Sequence, residues 1–395
     1  MRRPAAAATI RRSAAIAAAM SLPPLATILA TVLLAAAAPG QKDVPPPPRQ
    51  DPFTAAQDKA MAALGVVSYG PFPWADGLRN EDIDRVLGDN RILWLETAHF
   101  RIGSTLKPID VADDVEARKE VLAECAELHK RLAKLPVRPK KLDAWYRLHL
   151  YAQRAETMYG DFARMAGSAD GTLASGPFLG LPGKYLLLLF EKKSDLSRYM
   201  ERFAGRNNLT TSTRHFHEQT KQELVVATAE DDPPHDEAAL HSLVNYLLAS
   251  ALTDGLDGRT GSTPEWLRLG IAHCYERQVT TNLITVHMND SDHVDQESQH
   301  KWREKMYARA QHETLLVPFA DLKSRVEFGF YEEVQAWSRV DFLRSLGETG
   351  FGAFLLACKR NDATAQHEAA LQTQFGFDGE GFDHKWREWV LKTYK

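Results

Sequence analysis

Two segments hold residues whose types and spacing could do chemistry. "HSLVNYLLAS" runs from His241 to Ser250, and "STPEWLRLGIAHCYERQ" from Ser262 to Gln278. In the first, Leu240, Leu243, Val244, Leu247 and Ala251 form a helical apolar stripe. On a helix, residues four apart face the same way, so a His and its i+4 partner reach one metal ion. A Glu beside the first His activates the metal-bound water, and a carboxylate from a following helix can complete the set. His241 stands at the first ligand position of such an arrangement. Beside it stands Ser242, and four residues on, on the same face, stands Asn245. An Asn amide is a weak zinc partner beside imidazole. A Ser hydroxyl is no base near neutral pH without a partner to activate it. One imidazole does not hold a catalytic zinc, which takes three protein ligands and a water. The expectation is a site without metal and without hydrolytic chemistry.

A rearranged site is the alternative. His273 lies one turn beyond Leu269 and Glu265 one turn before it, so both share its face. For zinc to bind, His241, His273 and Glu265 or Glu276 would have to approach one ion. The plainer expectation makes His273 a core-edge histidine. It also sets His241 and Asn245 together at one edge of the apolar stripe, hydrogen-bonded to each other or to the second helix.

The frame of the second segment, with Trp266, Leu267, Gly270, Ala272 and Tyr275, resembles the W-L-x-E-G-x-A-x-Y helix of the Glu-zincin metallopeptidases. The flanks agree. "WLETAHFRI" resembles the opening strand of secreted bacterial proteins with peptidase MA-like domains. "YEEVQAWSRVDFLRSLGETGFGAFLLACKR" and "FDHKWREWV" resemble their closing helices. The resemblance covers Trp94 to Trp389 and implies a zincin-like α+β fold. That fold is a small mixed sheet lobe with helices, followed by a mainly helical C-terminal lobe. Carried over residue by residue, the family's ligands and base fall on His241, Ser242, Asn245 and Leu269. Three of these four depart from the pattern, which implies a degenerate H-E-x-x-H site and a pseudopeptidase. Such a protein would bind a peptide or a cell-surface polymer without cutting it, or would serve as a structural envelope domain.

Other candidates are expected to be structural. His215 and His217 in "HFHE" form an H-x-H pair whose rings could face one way on a strand, and the simpler expectation is a surface feature. His287, Asp290, Asp292, His293 and Asp295 lack the spacing of a calcium loop and read as a solvated loop. There is no G-x-S-x-G, P-loop or dinucleotide fingerprint. "GFGAF" at Gly350 to Phe354 reads as a helix start, and Trp337, Trp386 and Trp389 as core.

The elements that must position these residues divide the chain in two. Over 89–230, "RILWLETAHFRIGSTL" predicts a strand pair, and Val121, Leu122, Cys125, Leu128 and Leu132 predict a helix that Pro136 ends. "WYRLHLYAQ" (Trp145 to Gln153) alternates like a strand and runs into a helical stretch. "KYLLLLFE" and "QELVVATAE" predict buried strands, with Ser194 and Asp195 offering caps for a helix through Phe203. Over 231–395 the pattern is helical apart from a polar stretch, Thr280 to His312, which reads as a loop with part of a helix.

The chain has 395 residues and a formal charge of −4, without a concentrated basic stripe, so nucleic acid is not an expected partner. Arg2, Arg3, Arg11 and Arg12 precede an Ala-rich apolar run that ends in small residues at Ala36 to Gly40, which describes an export signal over 1–38. Uncleaved, that segment would be the one route to a membrane. Pro45 to Pro48 make 39–88 a Pro-rich spacer and extension, with folding starting after about Pro52. Cys125, Cys274 and Cys358 form no C-x-x-C pair and read as buried small side chains, although an exported protein could pair two of them.

Overall fold

The computed structural model describes residues 49–88, 92–111, 115–168, 171–230, 237–259, 263–280, 300–360 and 364–395. The predicted export segment, Pro45 to Pro48 and the His/Asp-rich stretch at 287–295 lie outside them. Within them no helix is long and apolar enough to cross a membrane.

Helices α1 (Asp58–Leu64) and α2 (Asn80–Leu87) precede strands β1 (Leu93–Glu96), β2 (Phe100–Ser104) and the short β3 (Ile109–Asp110). Helix α3 (Val115–Arg131), the short β4 (Lys141–Leu142) and the long α4 (Ala144–Met165) follow. Next come β5 (Tyr185–Phe190), α5 (Lys193–Ala204), β6 (Thr213–His217) and β7 (Gln222–Thr228). The rest is helical: α6 (Glu237–Gly255), α7 (Glu265–Val279), α8 (Trp302–Ala310), α9 (Phe319–Leu322), α10 (Phe330–Ser345), α11 (Glu348–Arg360), α12 (Thr364–Phe375) and α13 (Gly379–Thr393). The protein is thus α+β, with a mixed sheet and helices first and a mainly helical region after.

The five-stranded sheet has the order β1-β2-β5-β7-β6. β2, β5 and β7 run parallel, while β1 and β6 pair antiparallel at the two edges. Central β5 is buried at every position, which is why its sequence is an unbroken apolar run. Its alternate residues feed two cores. Leu187 and Leu189, with Val225 and Ala227 of β7, join the main core, which continues through α4, α6, α7 and α10. Leu186 and Leu188, with Leu224 and Val226, face a smaller core closed by Trp74, Ile83, Leu87 and Tyr199.

That smaller core gives the 39–88 segment a structural role from Asp51 onward. Trp74 donates its indole N–H to the Tyr199 hydroxyl at 2.9 Å, fixing the segment to α5. Buried Asp51 accepts from the hydroxyls of Thr54 and Tyr69 at 2.6 Å each and lies 3.0 Å from His149 Nε2 of α4.

Two local expectations need correction. Trp145 to Gln153 is not a strand but the first turns of α4. Asp143 caps that helix by accepting from the Tyr146 N–H at 2.8 Å. Helix α5 starts at Lys193, so Ser194 and Asp195 lie inside its first turn and do not cap it, and Asp195 pairs with Arg198. All three cysteines are free and buried.

Candidate functional site

The candidate site is built on α6 and α7, with α4 and α10 supplying its charged neighbours. α6 packs against β7 on one side and α7 on another, and α7 packs in turn against α10. Gly270 makes that second contact possible. A Cβ there would lie 2.5 Å from a Val340 methyl and 2.6 Å from the Ala336 carbonyl oxygen of α10. Arg268 ties α7 to α6: its guanidinium reaches Ser250 Oγ at 3.2 Å and pairs with Glu265 one turn earlier, Nε to Oε2 at 2.9 Å.

The first turn of α6 carries a buried ionic cluster. Glu237 accepts from Arg147 Nε at 3.0 Å and from Arg154 at 2.7 Å, both on α4. Arg154 also grips Glu124 of α3 through two bonds, at 3.0 and 2.7 Å. Burial alone would raise the Glu237 pKa, but Arg147 and then Arg154 overcome it and hold the carboxylate below its ordinary range. His241 sits one turn further along. Burial, and secondarily the Arg154 charge, push its pKa well below that of an ordinary histidine, although part of the residue reaches the surface. The imidazole is therefore neutral at pH 7.

The other positions singled out in the sequence are packed. Ser242 is buried, and its hydroxyl has no hydrogen-bond partner among the described residues. Asn245 is 8% exposed and Leu269 1% exposed, the latter within the main core. The expected hydrogen bond between His241 and Asn245 is not among the contacts of the described residues. The four positions carry one neutral imidazole, a hydroxyl, an amide and an alkyl side chain, and the nearest charged groups to His241, Glu237 and Arg154, are paired with each other.

His273 lies deeper than a core edge. It is fully buried, with Nδ1 at 2.8 Å from Glu276 and Nε2 at 2.8 Å from Glu333 of α10. Tyr246 and Trp302 pack against its ring, with centroids 5.0 and 4.9 Å away. Burial would lower its pKa, but the hydrogen bonds to Glu276 and Glu333 win and raise it, so this histidine favours the charged form. The structure thus brings His273 and Glu276 together, engages Glu265 with Arg268, and leaves His241 in the Glu237–Arg154 environment. Among the described residues no group of three or more His, Cys, Asp or Glu side chains is placed to hold a metal ion.

Glu333, Glu237, Arg147 and Arg154 were not singled out from the sequence. Glu333 had a readable signal: it interrupts the helical stripe Phe330, Val334, Trp337, where a lone carboxylate needs a buried partner. Arg147 was hidden by the strand-like reading of Trp145 to Gln153, and Arg154 lies just beyond it, at the start of the stretch read as helical.

The H-x-H pair also needs correction. His215 and His217 do share one face of β6, with ring centroids 4.7 Å apart. His217, however, is buried, and its Nδ1 lies 2.6 Å from Asp76. Asp76 comes from the N-terminal segment, whose Trp74 packs on the same face of the sheet. Comparison with known protein families and with curated proteins finds no match to this chain.

Proposed function

We propose that this is an exported, zincin-like protein that has kept the peptidase MA-like framework without its zinc chemistry. It binds an extended peptide or a cell-surface polymer and does not cut it. The observation that carries this reading is the set of side chains at the four positions where ligands and base would stand. His241, Ser242 and Asn245 lie on α6 and Leu269 on α7, and only the first of them can bind zinc. The framework reading is supported by the pairing of α6 and α7 beside a mixed sheet whose edge strand, β6, is antiparallel. Export is supported by the basic start and apolar run of the N-terminus. The binding reading is supported by the β6 edge, which pairs with no second strand among the described residues and remains half-buried along most of its length. Extended peptides add to such edges through main-chain hydrogen bonds.

A second reading, a structural envelope domain, is favoured by the burial of Ser242, Asn245 and Leu269. One experiment separates the readings. The full chain and its His241→Ala variant, purified without a metal-affinity tag, are incubated with a fluorescent library of extended peptides. The expected result is binding by anisotropy, equal in both proteins and without cleavage. Cleavage that disappears in the variant would establish a working metallopeptidase and end the proposal. Absence of binding in both would leave the structural domain.

A further inference from the structure

We propose that His215 and His217 form a two-imidazole seat for a divalent transition-metal ion, with Asp76 as the carboxylate that orients His217. Nothing in the pseudopeptidase reading leads to this site. It lies on the sheet face opposite α6, since His215 pairs in register with Leu224, whose side chain belongs to the smaller core.

Three observations converge on it. The first is spacing: residues two apart on a strand project to one face, and here they bring the two rings to 4.7 Å at an interplanar angle of 85°. The second is the partner of His217. Its Nδ1 lies 2.6 Å from Asp76 Oδ2, and Asp76 Oδ1 also accepts from the Thr220 hydroxyl at 3.4 Å. In a neutral imidazole this contact places the proton on Nδ1 and turns the lone pair to Nε2. A carboxylate on the far nitrogen is the arrangement that fixes the tautomer and raises the basicity of a metal-binding histidine. The third is that His217 Nε2 is buried and has no hydrogen-bond partner among the described residues. A buried nitrogen left without a partner is costly, and beside a second imidazole a cation would satisfy it.

Two imidazoles select an ion with nitrogen affinity, such as Cu²⁺ or Zn²⁺, over Mg²⁺ or Ca²⁺. Asp76 is engaged with the far nitrogen of His217, and among the described residues no group of three His, Cys, Asp or Glu is placed to hold an ion, so water or a ligand atom would complete the coordination. The site also lies on the edge strand. A bound ion there would present open coordination positions next to any chain that adds to that edge.

The test uses Cu²⁺ as the probe, because its affinity for such sites is the highest of the divalent series and its spectrum reports nitrogen ligands. The full chain, purified without a metal-affinity tag and stripped with chelator, is titrated by calorimetry and examined by electron paramagnetic resonance. The expected result is a single tight site with nitrogen splitting from imidazole ligands. His215→Ala should abolish that site, and Asp76→Asn should weaken it by about tenfold. His215 is only partly buried, so its variant should keep the wild-type circular dichroism and Tm, and the result does not depend on the buried His217. His241→Ala should bind as the wild type does. Unchanged binding in His215→Ala, or the absence of nitrogen splitting, would overturn the proposal. Loss of binding in His241→Ala alone would overturn it as well and would also count against the pseudopeptidase reading.

Discussion

His241 and His273 lie on neighbouring helices, yet their surroundings shift them in opposite directions. His273 is held by Glu276 and Glu333 and has a raised pKa. Its contribution to stability is fully present below the ordinary histidine value and is lost as pH rises through its folded value. His241 is desolvated beside Arg154 and has a lowered pKa. Its contribution is present above the ordinary value and is lost as pH falls toward its folded value. Removing one partner of a buried pair costs about 3–5 kcal/mol. Glu333→Gln should therefore lower Tm markedly at pH 6, with a smaller deficit at pH 9. His241→Gln should flatten the acid side of the same profile, retaining more stability than the wild type between pH 7 and 5. Tm measured across pH for the three proteins checks both signs. Parallel profiles for Glu333→Gln and wild type would show that His273 is not charged in the fold. At this scale the sequence was legible where the frame was regular: His241, Asn245 and Leu269 fall on the two packed helices as their spacing requires. It was not legible where a partner comes from a distant segment. Glu333 reaches His273 from 60 positions away, and Asp76 reaches His217 from 141 away.

Elements were easiest to read where burial is one-sided or complete over a short run. β5 and β7 are short apolar runs, and α3 shows a helical stripe with Val121, Cys125 and Leu128 buried. α4 is different. From Ala144 to Ala152 every residue is buried, so no polar face marks the helical period. The remaining alternation of polar and apolar types then imitates a strand. Arg147 and His149 are polar members of that alternation and Arg154 follows it, and each is buried against a carboxylate: Glu237, Asp51, and Glu237 with Glu124. The approach of α7 to α10 carries the prediction that belongs to elements. Gly270→Ala places a methyl inside contact distance of Ala336 and Val340, and overpacking of this kind costs about 1–3 kcal/mol. Denaturant unfolding should show a lower midpoint with an unchanged slope. Because His273 lies one turn along the same face, the variant should also weaken the His273–Glu333 contact. A variant as stable as wild type would mean that α7 and α10 part without cost.

For the whole molecule, the useful question is whether the sheet-bearing part and the helical part are separable. The change to a helical pattern after residue 230 suggests a boundary there, but the apolar core does not respect it. Leu187, Val225 and Ala227 of the sheet share one cluster with Leu240, Val244 and Leu248 of α6, and that cluster runs on to Trp302, Phe354 and Trp386. The Arg154–Glu237 and Arg214–Asp254 ion pairs cross the same boundary. Cutting there would expose the inner face of the sheet and leave Arg147 and Arg154 buried without Glu237. The fragments 49–230 and 237–395, expressed separately, should therefore be insoluble or lack fixed tertiary structure, while the intact chain should unfold in one calorimetric transition. The N-terminal segment makes the same argument from the opposite face. Trp74, Ile83 and Leu87 cover Leu186, Leu188, Leu224 and Val226, so a chain starting at residue 92 should expose that layer and bind a hydrophobic dye that the intact protein does not. Two independently folding halves, each with its own sharp transition, would refute the shared core and reopen the possibility that the helical region acts alone.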